Sequence, residues 1–133
     1  MDAIPTPTKA ELAILRTLWT DGPSTVREVH DRLAASRTVA YTTTLKTLQV
    51  MTERGLTLRE DHRGQHLYRP HDPREVTQRH LVIDLLDRAF GGSSTKLIVQ
   101  ALTSRRASAD ELREIHRLLS KQSSANKKEQ NHE

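Results

Sequence analysis

Cysteine is absent from the 133 residues, which excludes disulfides, thiolate metal centres and a cysteine nucleophile. Aromatic residues make up 3%, too few for a large aromatic core or a base-stacking platform. No apolar run approaches the roughly 20 residues that span a bilayer, so no membrane insertion is expected. The opening stretch MDAIPTPTKAE is acidic at its second position and has no apolar segment, which does not fit a signal peptide. A cytoplasmic protein is the expectation. His62, His66, His71 and His80 are spread along the chain without tight ligand spacing, and no H-E-x-x-H occurs. No metal or cofactor is expected. The carboxylates form no evident acid–base pair and no nucleophile motif is present, so an enzyme is not expected.

The net charge of +4 is not concentrated in either half of the chain. Its local distribution is more informative. No Asp or Glu occurs between Asp31 and Glu53, whereas Arg32, Arg37 and Lys46 fall within that interval. A polyanion can approach such a stretch without repulsion.

Thr8 and Glu11 form a capping box ahead of Leu12, Leu15, Leu18 and Trp19, and DGP at 21–23 closes that first helix. Thr25 and Glu28 repeat the signal for a second helix, about Thr25 to Ala35, with Val26, Val29 and Leu33 in line. After the turn SRTV, a third helix begins near Val39 or Ala40 and ends at Gly55. LTLRE, DHRGQ and HLYRP then read as strand, turn and strand, with Gly64 in the turn. Three short helices followed by a hairpin is the order of a winged helix-turn-helix.

The third helix is unusually rich in threonine, a mediocre helix former because its branched side chain loses rotamer freedom there. At 100° per residue, Thr44, Thr47, Leu48 and Met51 share one side, with Tyr41 and Leu45 at its edge. Thr42, Thr43, Lys46, Gln49 and Val50 share the other. A polar side of Thr, Lys and Gln offers hydroxyls to bases or phosphates, methyls to thymine and an amide to adenine. An ordinary solvated face would look similar. The acid-free interval and the following hairpin favour DNA, with Arg37, Thr42, Thr43, Lys46 and Gln49 as contacts. Arg63 beside Gly64 adds a hairpin-tip contact to phosphate or the minor groove, flanked by Arg59, His62 and Arg69. The same charges would also protect a sheet edge from aggregation.

From Pro73 the helical period returns. Val76, His80, Ile83, Leu86 and Phe90 lie on one face, widened by Leu81, Val82 and Leu85. GGSS at 91–94 breaks this helix. A short apolar helix follows over Thr95 to Leu102, containing Leu97, and another over Ala109 to Lys121, with Leu112, Ile115 and Leu119 in line. From Ser123 the chain is almost wholly polar and is expected to be disordered. The expected division is a winged helix over 1–72, a helical region over 73–122 and a tail over 123–133. The fold class is mainly α with a small β-hairpin wing. An apolar surface this broad on three helices suits a homodimer interface, with Val76, His80, Ile83, Leu86, Phe90, Leu97, Leu112, Ile115 and Leu119 in it.

LAILRTLW, TVREVHDRL, AYTTTLKTLQVMTERGL and GQHLYRP resemble the BlaI/MecI/CopY penicillinase-repressor family over about residues 6–122. The resemblance implies a bacterial transcriptional repressor with an N-terminal winged helix and a C-terminal helical dimerisation region. It further implies an inverted-repeat operator, often with TACA/TGTA half-sites, upstream of resistance genes. Thr42, Thr43 and Lys46 are implied as base or phosphate contacts. Val50 stands where many members carry a basic residue. In the penicillinase branch a pathway with a membrane-bound sensor metalloprotease cuts an Asn–Phe bond in the helix after the GG break. The matching pair here is Gln100–Ala101, so that cleavage position lacks its usual residues. The copper branch uses cysteines near its C-terminus, and this chain has none. The competing reading is a winged helix used for protein–protein contact without sequence-specific DNA binding; steeply salt-dependent affinity for duplex DNA separates the two.

Overall fold

The computed structural model describes residues 4–105 and 107–130, without the side chains of 126–130. The chain forms two compact units, one up to Leu85 and one from Leu86. The first contains α1 (Lys9–Asp21), α2 (Val26–Ala34), α3 (Tyr41–Glu53), β1 (Thr57–His62), β2 (Gln65–Pro70) and most of α4 (Arg74–Ala89). The second contains the end of α4, α5 (Ser94–Ser104) and α6 (Ala109–Gln130).

Both anticipated capping boxes are formed. The Thr8 hydroxyl accepts from the Glu11 amide at 3.2 Å while the Glu11 carboxylate accepts from the Thr8 amide at 2.8 Å. Thr25 and Glu28 make the same reciprocal pair at 3.2 and 3.0 Å. Each box satisfies two of the amides that a helix start leaves without partners. The apolar faces of α1, α2 and α3 then meet in one core of Ile14, Leu15, Leu18, Val29, Leu33, Leu48 and Met51, closed by Leu56 and Tyr68 from the hairpin side.

The hairpin is tighter than its sequence suggested. His62 pairs directly with Gln65, so the turn is the two residues Arg63 and Gly64 rather than DHRGQ. Both have positive φ, 51° and 81°. That is the signature of a type I′ turn, whose twist matches that of the flanking strands. The wing is also tied to the helices. Ser24 and Tyr68 exchange backbone hydrogen bonds at 3.0 and 2.8 Å, adding a one-residue third strand from the α1–α2 loop.

Three further boundaries differ from expectation. The first unit extends to Leu85 rather than ending at residue 72, because the start of α4 packs within it: Thr77 is buried and the His80 ring hydrogen-bonds Thr6 at 3.1 Å. The His80 ring is thus engaged within the first unit. Helix α5 is longer than Thr95 to Leu102 because Ser93 caps it, accepting from the Lys96 amide at 3.2 Å. Helix α6 continues to Gln130, so residues 123–130 are helical rather than disordered. Lys, Glu, Gln and Ala are good helix formers, and extending a formed helix costs far less than starting one. The rest of the expected tail, 131–133, lies outside the described residues.

Candidate nucleic-acid interface

The wheel drawn for the third helix holds in α3. Thr44, Leu48 and Met51 are buried, and Thr42, Thr43, Lys46, Gln49 and Val50 are exposed. The threonines separate into three kinds. Thr44 is a core residue whose hydroxyl meets His30 Nδ1 at 3.3 Å. Thr47 turns its hydroxyl back to the Thr43 carbonyl at 2.8 Å. Thr42 and Thr43 have no side-chain hydrogen bond among the described residues, so their hydroxyls are available to a ligand.

The start of α3 differs from those of α1 and α2. Its N-cap is Ala40, which supplies no side-chain bond, and its first turn contains no acid. The other two helices carry Glu11 and Glu28 there. The amides and the positive dipole end of α3 are therefore not neutralised by the chain itself. Tyr41, the first residue of α3, is held by α2. The Arg27 guanidinium lies 4.4 Å from its ring centroid, and the His30 ring meets it edge-on at 5.5 Å and 80°. A cation over an aromatic face and an edge-to-face aromatic pair are both attractive arrangements. Sequence reasoning missed this clamp; the Arg27/His30 spacing of three on α2 was its available signal.

Of the arginines expected to contact DNA, Arg63 occupies the exposed wing tip with no partner among the described residues. Arg37 does not join the α3 face. It shares a shallow concavity with Arg16 and Arg32, against Ala13 and Thr17 of α1. On the wing, Arg69 donates to Glu60 at 2.6 Å and His66 bonds Asp61, so only part of the wing's positive charge is unpaired. Beside α3, a concavity of about 290 Å3 is lined by Thr43, Lys46, Thr47 and Val50 and by Thr8, Ala10 and Glu11 at the start of α1. Val50 thus leaves an apolar spot on the otherwise polar face.

Beneath this surface Glu11 is nearly inaccessible. Burial pushes its carboxyl up, but hydrogen bonds from Arg54 and the Thr8 amide and the Arg54 charge together outweigh that, leaving it below the ordinary carboxylate range. Among the described residues, no three His, Asp or Glu side chains converge in a way that could hold a metal ion.

A family model described as penicillinase repressor matches residues 7–121. This chain belongs to the penicillinase repressor family. It is 33% identical over 110 residues to the transcriptional regulator BlaI of Mycobacterium tuberculosis, in both strain CDC 1551 / Oshkosh and strain ATCC 25618 / H37Rv. That match covers 82% of this chain and 79% of the relative. The fold is also that of two solved structures. One is the Bacillus licheniformis BlaI monomeric form in complex with the blaP half-operator (TM-score 0.50, 21% identity, 56% of this chain and 92% of that one). The other is a MarR family protein from Bacillus stearothermophilus (TM-score 0.50, 19% identity, 92% of this chain and 77% of that one). As a penicillinase repressor the chain is a transcriptional regulator with a winged-helix fold. Gln100 and Ala101 lie within α5 and are both exposed. Among the described residues, no helix is long and apolar enough to cross a membrane.

Proposed function

We propose that this penicillinase repressor binds an inverted-repeat operator as a homodimer, with α3 in the major groove and the wing on the backbone. The observation that carries the reading is the exposed face of α3. Thr42, Thr43, Lys46 and Gln49 stand exposed along α3, which has no acid before Glu53, beyond a helix start that the chain leaves uncapped. Uncapped amides at a helix N-terminus bind phosphate, and free hydroxyl, ammonium and amide groups along one face read base edges. Arg63 supplies the wing contact. Arg37, ahead of α3 and beside Arg16 and Arg32, supplies a further contact to the backbone.

Two-fold pairing is supported by the second unit. From Leu86 to Ala125 no described residue is buried. Eight of the nine large hydrophobic residues exposed among the described residues fall between Val82 and Leu119. A unit without a buried core does not stay folded alone, and an exposed apolar surface of this extent is covered by a partner in stable proteins. A second copy covers it self-complementarily and presents two α3 helices to two half-sites. Ile83, Leu86, Phe90, Leu97, Leu112, Ile115 and Leu119 form this interface, joined by Val82, Leu85, Ile98, Val99 and Leu118. Val76 and His80, toward the start of α4, complete the expected set; the His80 ring is hydrogen-bonded to Thr6. The protein works in the cytoplasm. A sensor-protease route of induction would have to accept Gln100–Ala101, which is helical, in place of the Asn–Phe pair.

Footprinting on DNA upstream of the protein's own gene tests the reading. The expected result is two protected half-sites related by a dyad, with affinity falling steeply as salt rises. Salt-insensitive, sequence-independent binding would instead favour a protein-contact module.

A further inference from the structure

A concavity of about 350 Å3 between α1 and the start of α4 has no part in the reading above. Leu12, Leu81 and Trp19 give it apolar walls; Arg16, Arg74 and Gln78 give it polar ones. No acid lines it. Arg16 has no carboxylate partner among the described residues, and Arg74 makes only an exposed contact to its sequence neighbour Glu75 at 3.2 Å. Trp19 Nε1 is buried without an acceptor, alone in this respect among the described side-chain polar atoms. Helix seams close with interdigitating side chains, and buried donors find partners. This seam does neither.

We propose that the concavity is a binding site for a small organic carboxylate with an aromatic or branched apolar body. The body lies on Leu12, Leu81 and the Trp19 ring. The carboxylate accepts charge-assisted hydrogen bonds from Arg16 or Arg74. A neutral hydrocarbon would leave the guanidinium groups unmet. A cation would be repelled, and inorganic phosphate would not use the apolar walls. The volume falls at the small end of ligand pockets. An occupant there bridges α1 to Arg74, Gln78 and Leu81 in the first turns of α4.

Trp19 is the only tryptophan in the chain, so the emission of the intact protein reports occupancy directly. Phenylacetate is a suitable probe and phenylacetamide its neutral counterpart. Titration with phenylacetate should change Trp19 emission saturably, with Kd of about 0.1–1 mM for a ligand this small. Phenylacetamide should bind at least about 10-fold more weakly, as should phenylacetate to the R16Q/R74Q variant. Both arginines are exposed, so that variant keeps its fold, and circular dichroism checks this; R74Q alone serves if it does not. W19F, which keeps an aromatic wall, should bind phenylacetate within a few-fold of the wild type by calorimetry. Absence of saturable binding by both fluorescence and calorimetry up to about 10 mM overturns the proposal. So does equal binding of acid and amide, or unaltered binding by the arginine variants. None of these outcomes bears on the α3 face, which lies elsewhere on the first unit.

Discussion

Arg54, at the C-terminal cap of α3, donates to the Glu11 carboxylate in the first turn of α1, and its other terminal nitrogen donates to the Thr6 carbonyl at 3.0 Å. Glu11 is at once the capping residue of α1 and the counter-ion of Arg54, with its side chain only 5% exposed. The pair joins the end of the helix proposed to read DNA to the start of the helix behind it. Replacing Arg54 by Ala leaves a buried carboxylate with only its capping bonds. Stability of the first unit should fall by about 1–3 kcal/mol, read from the urea midpoint of Trp19 fluorescence.

The same carboxyl sets a pH dependence. Its pKa in the folded protein lies below the ordinary value, so it stabilises the fold above the unfolded-state pKa, and that contribution is lost as pH falls through the folded one. Urea midpoints of the wild type should therefore drop as the pH falls below the ordinary carboxylate range. Glu11→Gln should be less stable at neutral pH and show a shallower drop. Parallel pH profiles for the two proteins would remove Glu11 from this role.

The three kinds of threonine in α3 give distinct expected outcomes. Thr43→Ala should cost about 1–3 kcal/mol on operator DNA if its hydroxyl or methyl meets one base, with little change on random DNA. Thr44→Val removes a buried hydroxyl bonded to His30 and should lower stability rather than specificity. Thr47→Ala, whose hydroxyl is already spent on the helix backbone, should change neither by much. Lys46→Ala should reduce the salt slope of binding by about one unit if it meets a phosphate. Competition gel shifts with operator and random duplex, together with thermal melts, distinguish these patterns.

Arg63 is the one non-glycine residue with positive φ among those described, a conformation that asparagine adopts more readily than arginine. Arg63→Asn should leave the hairpin as stable or more so, yet weaken operator and random DNA about equally, as a lost phosphate contact does. Arg69→Ala is the comparison, because that guanidinium is already engaged by Glu60. A loss confined to operator DNA would show that the wing reads sequence or groove shape instead.

What could be read from sequence was local. The capping boxes at Thr8 and Thr25 and the two sides of α3 follow from fixed spacings of three, four and 100°, and each stands where those spacings put it. What escaped was non-local. The Ser24–Tyr68 backbone pair, the Arg27–Tyr41–His30 cluster and the Arg54–Glu11 bond join residues 11 to 44 positions apart that no periodicity relates. The packing of the start of α4 within the first compact unit was not legible for the same reason. Its period marks an apolar stripe but not which part meets α1, and Thr77 and His80, which tie it to the first unit, are not apolar. The Arg63–Gly64 turn was within reach, since a strand can run up to a two-residue loop, but arginine is a poor indicator of positive φ.

The proposed dimer makes the sharpest demand on the molecule. Ile83 is 50% exposed and Leu119 55% exposed, and neither serves the core of the first unit. Covering such side chains with a second copy contributes roughly 1.5–3 kcal/mol for each one fully buried. Asp at both positions removes that gain twice in each protomer and adds charges that a two-fold interface brings together. The variant should sediment as a monomer at micromolar concentration where the wild type sediments as a dimer. Its first unit should still unfold at the wild-type urea midpoint by Trp19 fluorescence, because Trp19 lies in that unit and packs against its core. Its affinity for a full inverted repeat should fall to that for a single half-site, since two tethered α3 helices no longer act together. A wild type that sediments as a monomer across the micromolar range and still binds the full operator tightly would show that the apolar face of α4–α6 serves another partner.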